Sequence, residues 1–202
     1  MKKRVDLPEK KYEGYIFDLD GTLVDSMPLH YRAWREALAR AGAPDHVFRA
    51  DEFYSCSGKS ANDVVRFLNE RYGMHMDAAS TAADKRRIYL EMLEKEGMQP
   101  IREVVEFVHS LGDAPKAIAT GSAMPGASRT LAAAGLSGLF DVILTPDEVE
   151  HGKPAPDMFL KAAELLGVSP DRCVVFEDAE PGMKAAAAAG MDCVQVRRPS
   201  LA

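Results

Sequence analysis

From residue 101 onward, helix-forming and strand-forming segments take turns along the chain, and few folds accommodate that alternation. Ile101 to Leu111 carries a helical apolar pattern and Lys116 to Thr120 a strand-like one. Ala127 to Ala134 is helical, Asp141 to Thr145 strand-like, Asp157 to Leu166 helical, Cys173 to Phe176 strand-like, Gly182 to Ala189 helical and Cys193 to Val196 strand-like. Strands joined through helices lie parallel in one sheet. Far upstream, Tyr15-Ile16-Phe17 is aromatic and β-branched, reads as a buried strand, and belongs to the same sheet. Between about residues 28 and 96 no convincing strand occurs. Residues 28 to 42 read as a helix with Pro28 in its first turn, Gly42 as its stop, and Leu29, Trp34, Leu38 and Ala41 sharing a face. Residues 61 to 72 and Ala78 to Glu96 read as two more. The expected fold is α/β: a Rossmann-like parallel-sheet core built from residues 1–27 and 97–202, interrupted by a helical cap over 28–96.

Each expected strand runs into polar residues. The first ends in Asp18 and Asp20, two apart and therefore on one side of an extended chain, followed by Gly21 and Thr22. Open α/β sheets bind their ligands at the carboxyl ends of strands. Buried acids there call for a compensating cation, and paired carboxylate oxygens suit a hard divalent one. The second strand leads into Thr120-Gly121-Ser122, whose hydroxyls and amide can donate to phosphate oxygens. Lys153 sits in a Gly/Pro loop ahead of a helix, placed to neutralise a carboxylate and a phosphoryl group together. Glu177 and Asp178 follow another strand and can complete a metal site. Taken singly, each of these also reads as an ordinary turn, surface lysine or helix N-terminal acid.

Together they resemble the haloacid dehalogenase superfamily of phosphotransferases. Residues 15–26, Tyr-Ile-Phe-Asp-Leu-Asp-Gly-Thr-Leu-Val-Asp-Ser, meet every position of its nucleophile motif, and Thr120, Lys153 and Glu177-Asp178 follow in the superfamily's order. The β-phosphoglucomutase branch, and in it the fructose-1-phosphate phosphatase-like members, is most similar in Lys153-Pro154-Ala155-Pro156-Asp157 and in Val174 to Ala179. The resemblance implies an aspartyl-phosphate mechanism. Asp18 is then the nucleophile and Asp20 the acid and base. Mg²⁺ is held by Asp18, Asp178 and the main chain of Asp20, with Glu177 in support, and Thr120, Gly121, Ser122 and Lys153 surround the phosphoryl group. A cap closing over the substrate and excluding water is part of the same implication. His30, Gly58 and Lys59 are the cap residues expected to meet the substrate, with Lys85 a weaker correspondence.

The expected substrate is a small phosphorylated metabolite, a sugar phosphate, hydrolysed by a phosphatase. A phosphosugar mutase is the alternative. It needs an anchor for a second phosphate, and Ala61 stands where that branch has an arginine. A binding protein without catalysis is disfavoured, since no catalytic position is missing. Gly58-Lys59-Ser60 echoes the end of a nucleotide-binding loop, but Phe53 replaces its first glycine and no strand is expected before it.

Net charge is -6, which argues against a nucleic-acid partner. No run approaches the ~20 apolar residues of a membrane helix, and the lysine-rich start lacks the apolar stretch of a signal peptide. Cytoplasm is therefore the expected location. Of the three cysteines, Cys173 and Cys193 fall in strand-like runs and are expected to be buried free thiols.

Overall fold

In the computed structural model the described residues are 3–198; the outer limits expected for the core, residues 1–2 and 199–202, lie outside them. The chain forms two compact units. One takes the chain up to Asp25 and again from Met98, and the other is Ser26–Gly97.

The first unit contains a five-stranded parallel sheet, β1 (Gly14–Phe17), β2 (Lys116–Ala119), β3 (Val142–Leu144), β4 (Cys173–Glu177) and β5 (Asp192–Gln195), in the order β3-β2-β1-β4-β5. The earliest strand is thus the central one. Its register is set by size as well as pattern. Gly14 faces Cys173, and a Cβ on Gly14 would come within 2.8 Å of the Cys173 sulfur. Between the strands run α5 (Arg102–Ser110), α6 (Met124–Ala133), α7 (Asp157–Leu166) and α8 (Glu180–Ala188). One sheet face packs Ile16, Ala117 and Val175 against Phe159 of α7 and Ala185 and Ala186 of α8. These alanines let α8 lie close to the sheet. The other face is aromatic: Phe17 stacks on Phe176 with ring centres 4.6 Å apart, and Phe107 of α5 lies 5.3 Å from Phe176.

The second unit is helical: α1 (Met27–Arg40), α2 (Ala50–Ser55), α3 (Ala61–Tyr72) and α4 (Ala78–Glu96). Trp34, Leu38, Phe48, Phe53, Val65 and Leu68 are the centre of its own apolar core. Ser60 caps α3 by accepting from the Asp63 amide, Asp77 caps α4 through the Ser80 amide, and Gly73 ends α3 in the left-handed region.

Several details depart from expectation. The short helix α2 has too few residues to show an apolar period, and the sequence does not announce it. Helices α6 and α8 start earlier than expected, because Pro125 and Pro181 serve in their first turns and do not lie outside them. Ala41 is exposed, since it caps α1 after its apolar face has ended. Cys193 is exposed and not buried, because β5 is the edge strand and most of its residues face outward. Cys173, in β4, is a buried free thiol. No described helix is long and apolar enough to cross a membrane.

Candidate active site

The carboxyl ends of β1, β2 and β4 bring most of the expected residues together in the sheet unit. The neighbours β1 and β4 flank the place where strand order changes direction, which is where such sheets leave a crevice. Asp18 continues the β1 ladder by one residue, its amide donating to the Phe176 carbonyl at 2.9 Å. That bond fixes the backbone beneath a carboxylate that is only 7% exposed. Its Oδ1 accepts from Lys153 Nζ at 2.6 Å, and the same ammonium donates to Glu177 Oε1 at 2.7 Å.

Glu177 is almost wholly engaged. It is 1% exposed, and its Oε2 accepts the Ala179 amide at 2.7 Å. Gly182, in the first turns of α8, lies directly against it: a Cβ there would stand 1.8 Å from Oε1. The glycine is thus a requirement of close approach. The carboxylate occupies the space its side chain would take.

Asp178 is also buried, and its Oδ2 accepts from Arg198 Nε at 2.7 Å. Asp20, beyond β1, sits in a turn in which the Leu19 carbonyl accepts amides from Thr22, Leu23 and Val24. Its Oδ2 accepts from the Ser122 hydroxyl at 2.6 Å. The Ser122 amide donates to Thr120 Oγ1 at 3.0 Å, while the Thr120 amide closes the ladder onto Leu144. The turn after β2 therefore ties a fully buried threonine to the acid after β1, with Gly121 exposed between them.

The electrostatics follow from burial. Removal from water pushes the Asp18 carboxyl well above its ordinary value; Lys153 opposes this, and Glu177 and Asp178 add to it. Burial likewise lifts Asp178 to about 6, helped by Glu177 and opposed by Arg198. Burial alone would lower the Lys153 pKa, but the charges of Asp18 and Glu177 outweigh it, so the ammonium stays protonated. Asp18, Glu177 and Asp178 each offer an oxygen within 4.8 Å of the others. Three buried carboxylates with two raised pKa values mark a cluster short of positive charge. A divalent cation fits that donor set in both charge and chemistry.

The expected cap residues belong to the helical unit. His30, on α1, stacks on Tyr89 at 4.0 Å, and its Nδ1 lies 2.9 Å from Lys85 Nζ. Gly58 is in a positive-φ turn, and Lys59 Nζ is 5.5 Å from the centre of the Phe67 ring. The stretch resembling a nucleotide loop follows helix α2, and its serine is the α3 cap. Two features escaped sequence reasoning. The Ser122 hydroxyl holds Asp20, although Ser122 reads as a substrate contact. Arg198 reaches Asp178, although no sequence motif singles it out.

The sequence profile of the haloacid dehalogenase-like hydrolases matches residues 12–190. The fructose-1-phosphate phosphatase YqaB of Escherichia coli is 39% identical over 93% of this chain and 98% of its own. A β-phosphoglucomutase of Mycobacterium bovis is 35% identical over 89% of this chain and 78% of its own. Among solved structures, CbbY of Rhodobacter sphaeroides in complex with phosphate superposes with a TM-score of 0.78 at 25% identity, covering 90% of this chain and 84% of that one.

Proposed function

Because the chain belongs to the haloacid dehalogenase-like hydrolase family, we propose that it is a Mg²⁺-dependent phosphatase of small sugar phosphates that works through an aspartyl phosphate. The observation that carries the reading is the pairing of Asp18 with Lys153 at 2.6 Å beside Glu177 and Asp178, with Asp20 held two residues away by Ser122. An ammonium shared by two acids favours the ionised form of Asp18 against the effect of burial, aims it, and remains charged to meet the phosphoryl group.

In this mechanism the Asp18 carboxylate attacks phosphorus in line, and the bond to the sugar oxygen breaks. Asp20 gives its proton to that leaving oxygen. It then takes one from the water that hydrolyses the acyl phosphate. Ser122 donates to Asp20 Oδ2 and so orients the carboxyl that exchanges the proton. Thr120, the Gly121 amide and Lys153 support the phosphoryl oxygens. Asp18, Asp178 and the main-chain carbonyl of Asp20 would hold Mg²⁺, with Glu177 in support. When bound, the ion supplies charge to oppose that of the phosphoryl oxygens. Recognition of the sugar is assigned to His30, Gly58 and Lys59.

The relatives name both a phosphatase and a mutase. Ala61, the first residue of α3, offers no cation for a second phosphate, and this favours hydrolysis. The test is phosphate release from a panel of sugar phosphates that includes fructose 1-phosphate, with Mg²⁺ and then with EDTA. Hydrolysis that stops on chelation is the expected result. Undiminished turnover after metal removal would sink the metal assignment. If β-glucose 1-phosphate with a trace of the 1,6-bisphosphate gave glucose 6-phosphate much faster than free phosphate, the protein would be a mutase.

A further inference from the structure

Two short segments flanking the family-matched region 12–190 are bound to each other. Val5 and Val196 form an antiparallel bridge. The Arg197 amide donates to the Arg4 carbonyl at 2.7 Å, and Arg4 Nε returns a bond to the Arg197 carbonyl at 3.0 Å. The Arg197 side chain donates to the Lys3 carbonyl at 2.9 Å and pairs with Asp6. Val196 is tied inward as well, its amide donating to the Glu177 carbonyl at 2.7 Å. This clasp fixes the backbone on both sides of β5's end. The next residue along is Arg198, whose Nε meets Asp178 Oδ2.

The contact is unlike the surface ion pairs elsewhere. The Asp178 side chain is 3% exposed and that of Arg198 21%, so the acid end of the pair is shielded from water. The cations of the cluster divide the acids between them. Lys153 bonds Asp18 and Glu177, and Arg198 bonds Asp178. A carboxylate held at one oxygen by a planar guanidinium has lost its rotational freedom, and its other oxygen is presented in a fixed direction.

We propose that Arg198 is a positioning residue for metal loading: delivered by the clasp, it locks Asp178 so that Oδ1 joins an oxygen of Asp18 as a ligand, with Glu177 in support. The inference rests on the Mg²⁺ reading of the site. Its test is direct titration of the full chain with Mn²⁺, following the free ion by electron paramagnetic resonance, which requires no turnover. Arg198→Gln keeps bulk and polarity but loses the charged fork, and weakens Mn²⁺ binding about 10- to 100-fold. Arg198→Lys loses less. Arg197→Ala loosens the clasp without touching any acid of the site, and weakens binding in the same direction by a smaller factor. Should Arg198→Gln fail to fold, the other two variants decide the matter.

Unchanged Mn²⁺ affinity in folded Arg198 variants, even with a lowered melting temperature in EDTA, would reduce the contact to a structural one and overturn the proposal. Tighter binding would overturn it too, by making Arg198 an occupant that the metal must displace. A wild-type protein that binds no Mn²⁺ defeats the metal reading itself. Loss of this inference alone appears as normal wild-type binding with no response to the variants.

Discussion

The two units hold their polar residues in different ways. In the sheet unit Asp18, Glu177 and Asp178 are buried and Asp20 is partly so, and each is bound to a named partner: Asp18 and Glu177 to Lys153, Asp178 to Arg198, Asp20 to Ser122. In the helical unit Gly58 and Lys59 are exposed, and the lysine's described contact is with a phenyl ring. Buried polar groups have one arrangement that satisfies them, whereas exposed ones have many. On the proposed function, the sheet unit fixes the chemistry of the reaction, and the identity of the sugar rests on side chains that tolerate exchange.

The sharpest test of that contrast is Asp18→Asn. An amide cannot act as the nucleophile, so turnover should fall by at least about a thousandfold. Thermal melting should show a folded protein. Wild-type-like phosphate release from such a variant would remove Asp18 from the mechanism. Lys153→Ala comes next. It leaves Asp18 and Glu177 buried without their cation, so stability should drop by roughly 3–5 kcal/mol in urea unfolding, with activity lost as well. An unfolding midpoint equal to wild type would mean that water already compensates the acids.

Gly182→Ala is a steric probe of the same cluster. The new methyl would overlap the Glu177 carboxylate, so the glutamate must move, at a cost of about 1–3 kcal/mol. A neutral effect would show that Glu177 has room the contact distance denies.

The fourth test is pH dependence without metal. The Asp178 carboxyl is raised from an ordinary 3.8 to about 6, so between those values the folded protein binds a proton that the unfolded chain does not. This group's favourable share is therefore present at acid pH and lost as pH rises through 6. In EDTA, wild type should lose stability relative to Asp178→Asn between pH 4 and 6, and added Mg²⁺ should restore more at pH 7.5 than at pH 5. A pH-independent difference between the two proteins would contradict the assigned shift. At the small end, Lys59→Ala should alter stability by less than about 0.5 kcal/mol. If it recognises substrate, it should raise KM and leave kcat in place. An unchanged KM across the sugar panel would withdraw that role.

The same contrast explains what could be read from the sequence. Strand ends carry Asp18, Thr120 and Glu177-Asp178 because β-branched and aromatic runs announce the strands and a short polar motif follows each one. Their convergence needs only a parallel sheet. Arg198 was illegible for the opposite reason. Its neighbour Arg197 and its own side chain look alike as letters, and only the bridge from Val5 to Val196 decides which of them turns inward. Ser122 was readable as a polar group near phosphate. Its bond to Asp20 spans 102 positions and depends on where two turns meet. Helix α2 and the exposed Cys193 were missed because burial at a sheet edge and a single helical turn leave no periodic trace.

The central position of β1 has a consequence for how the protein is made. This strand leaves the ribosome first, yet the lysine that Asp18 requires follows 135 residues later, and β4, which pairs along its whole length, later still. Until β2 is made the nascent chain thus carries an apolar strand with both edges unpaired, and until β4 is made one edge stays open. Such a strand is a template for wrong partners until β4 arrives near the end of the chain. Catalytic competence here is a late event in folding, and a shortened chain lacking β4 would be sticky before it was merely inactive.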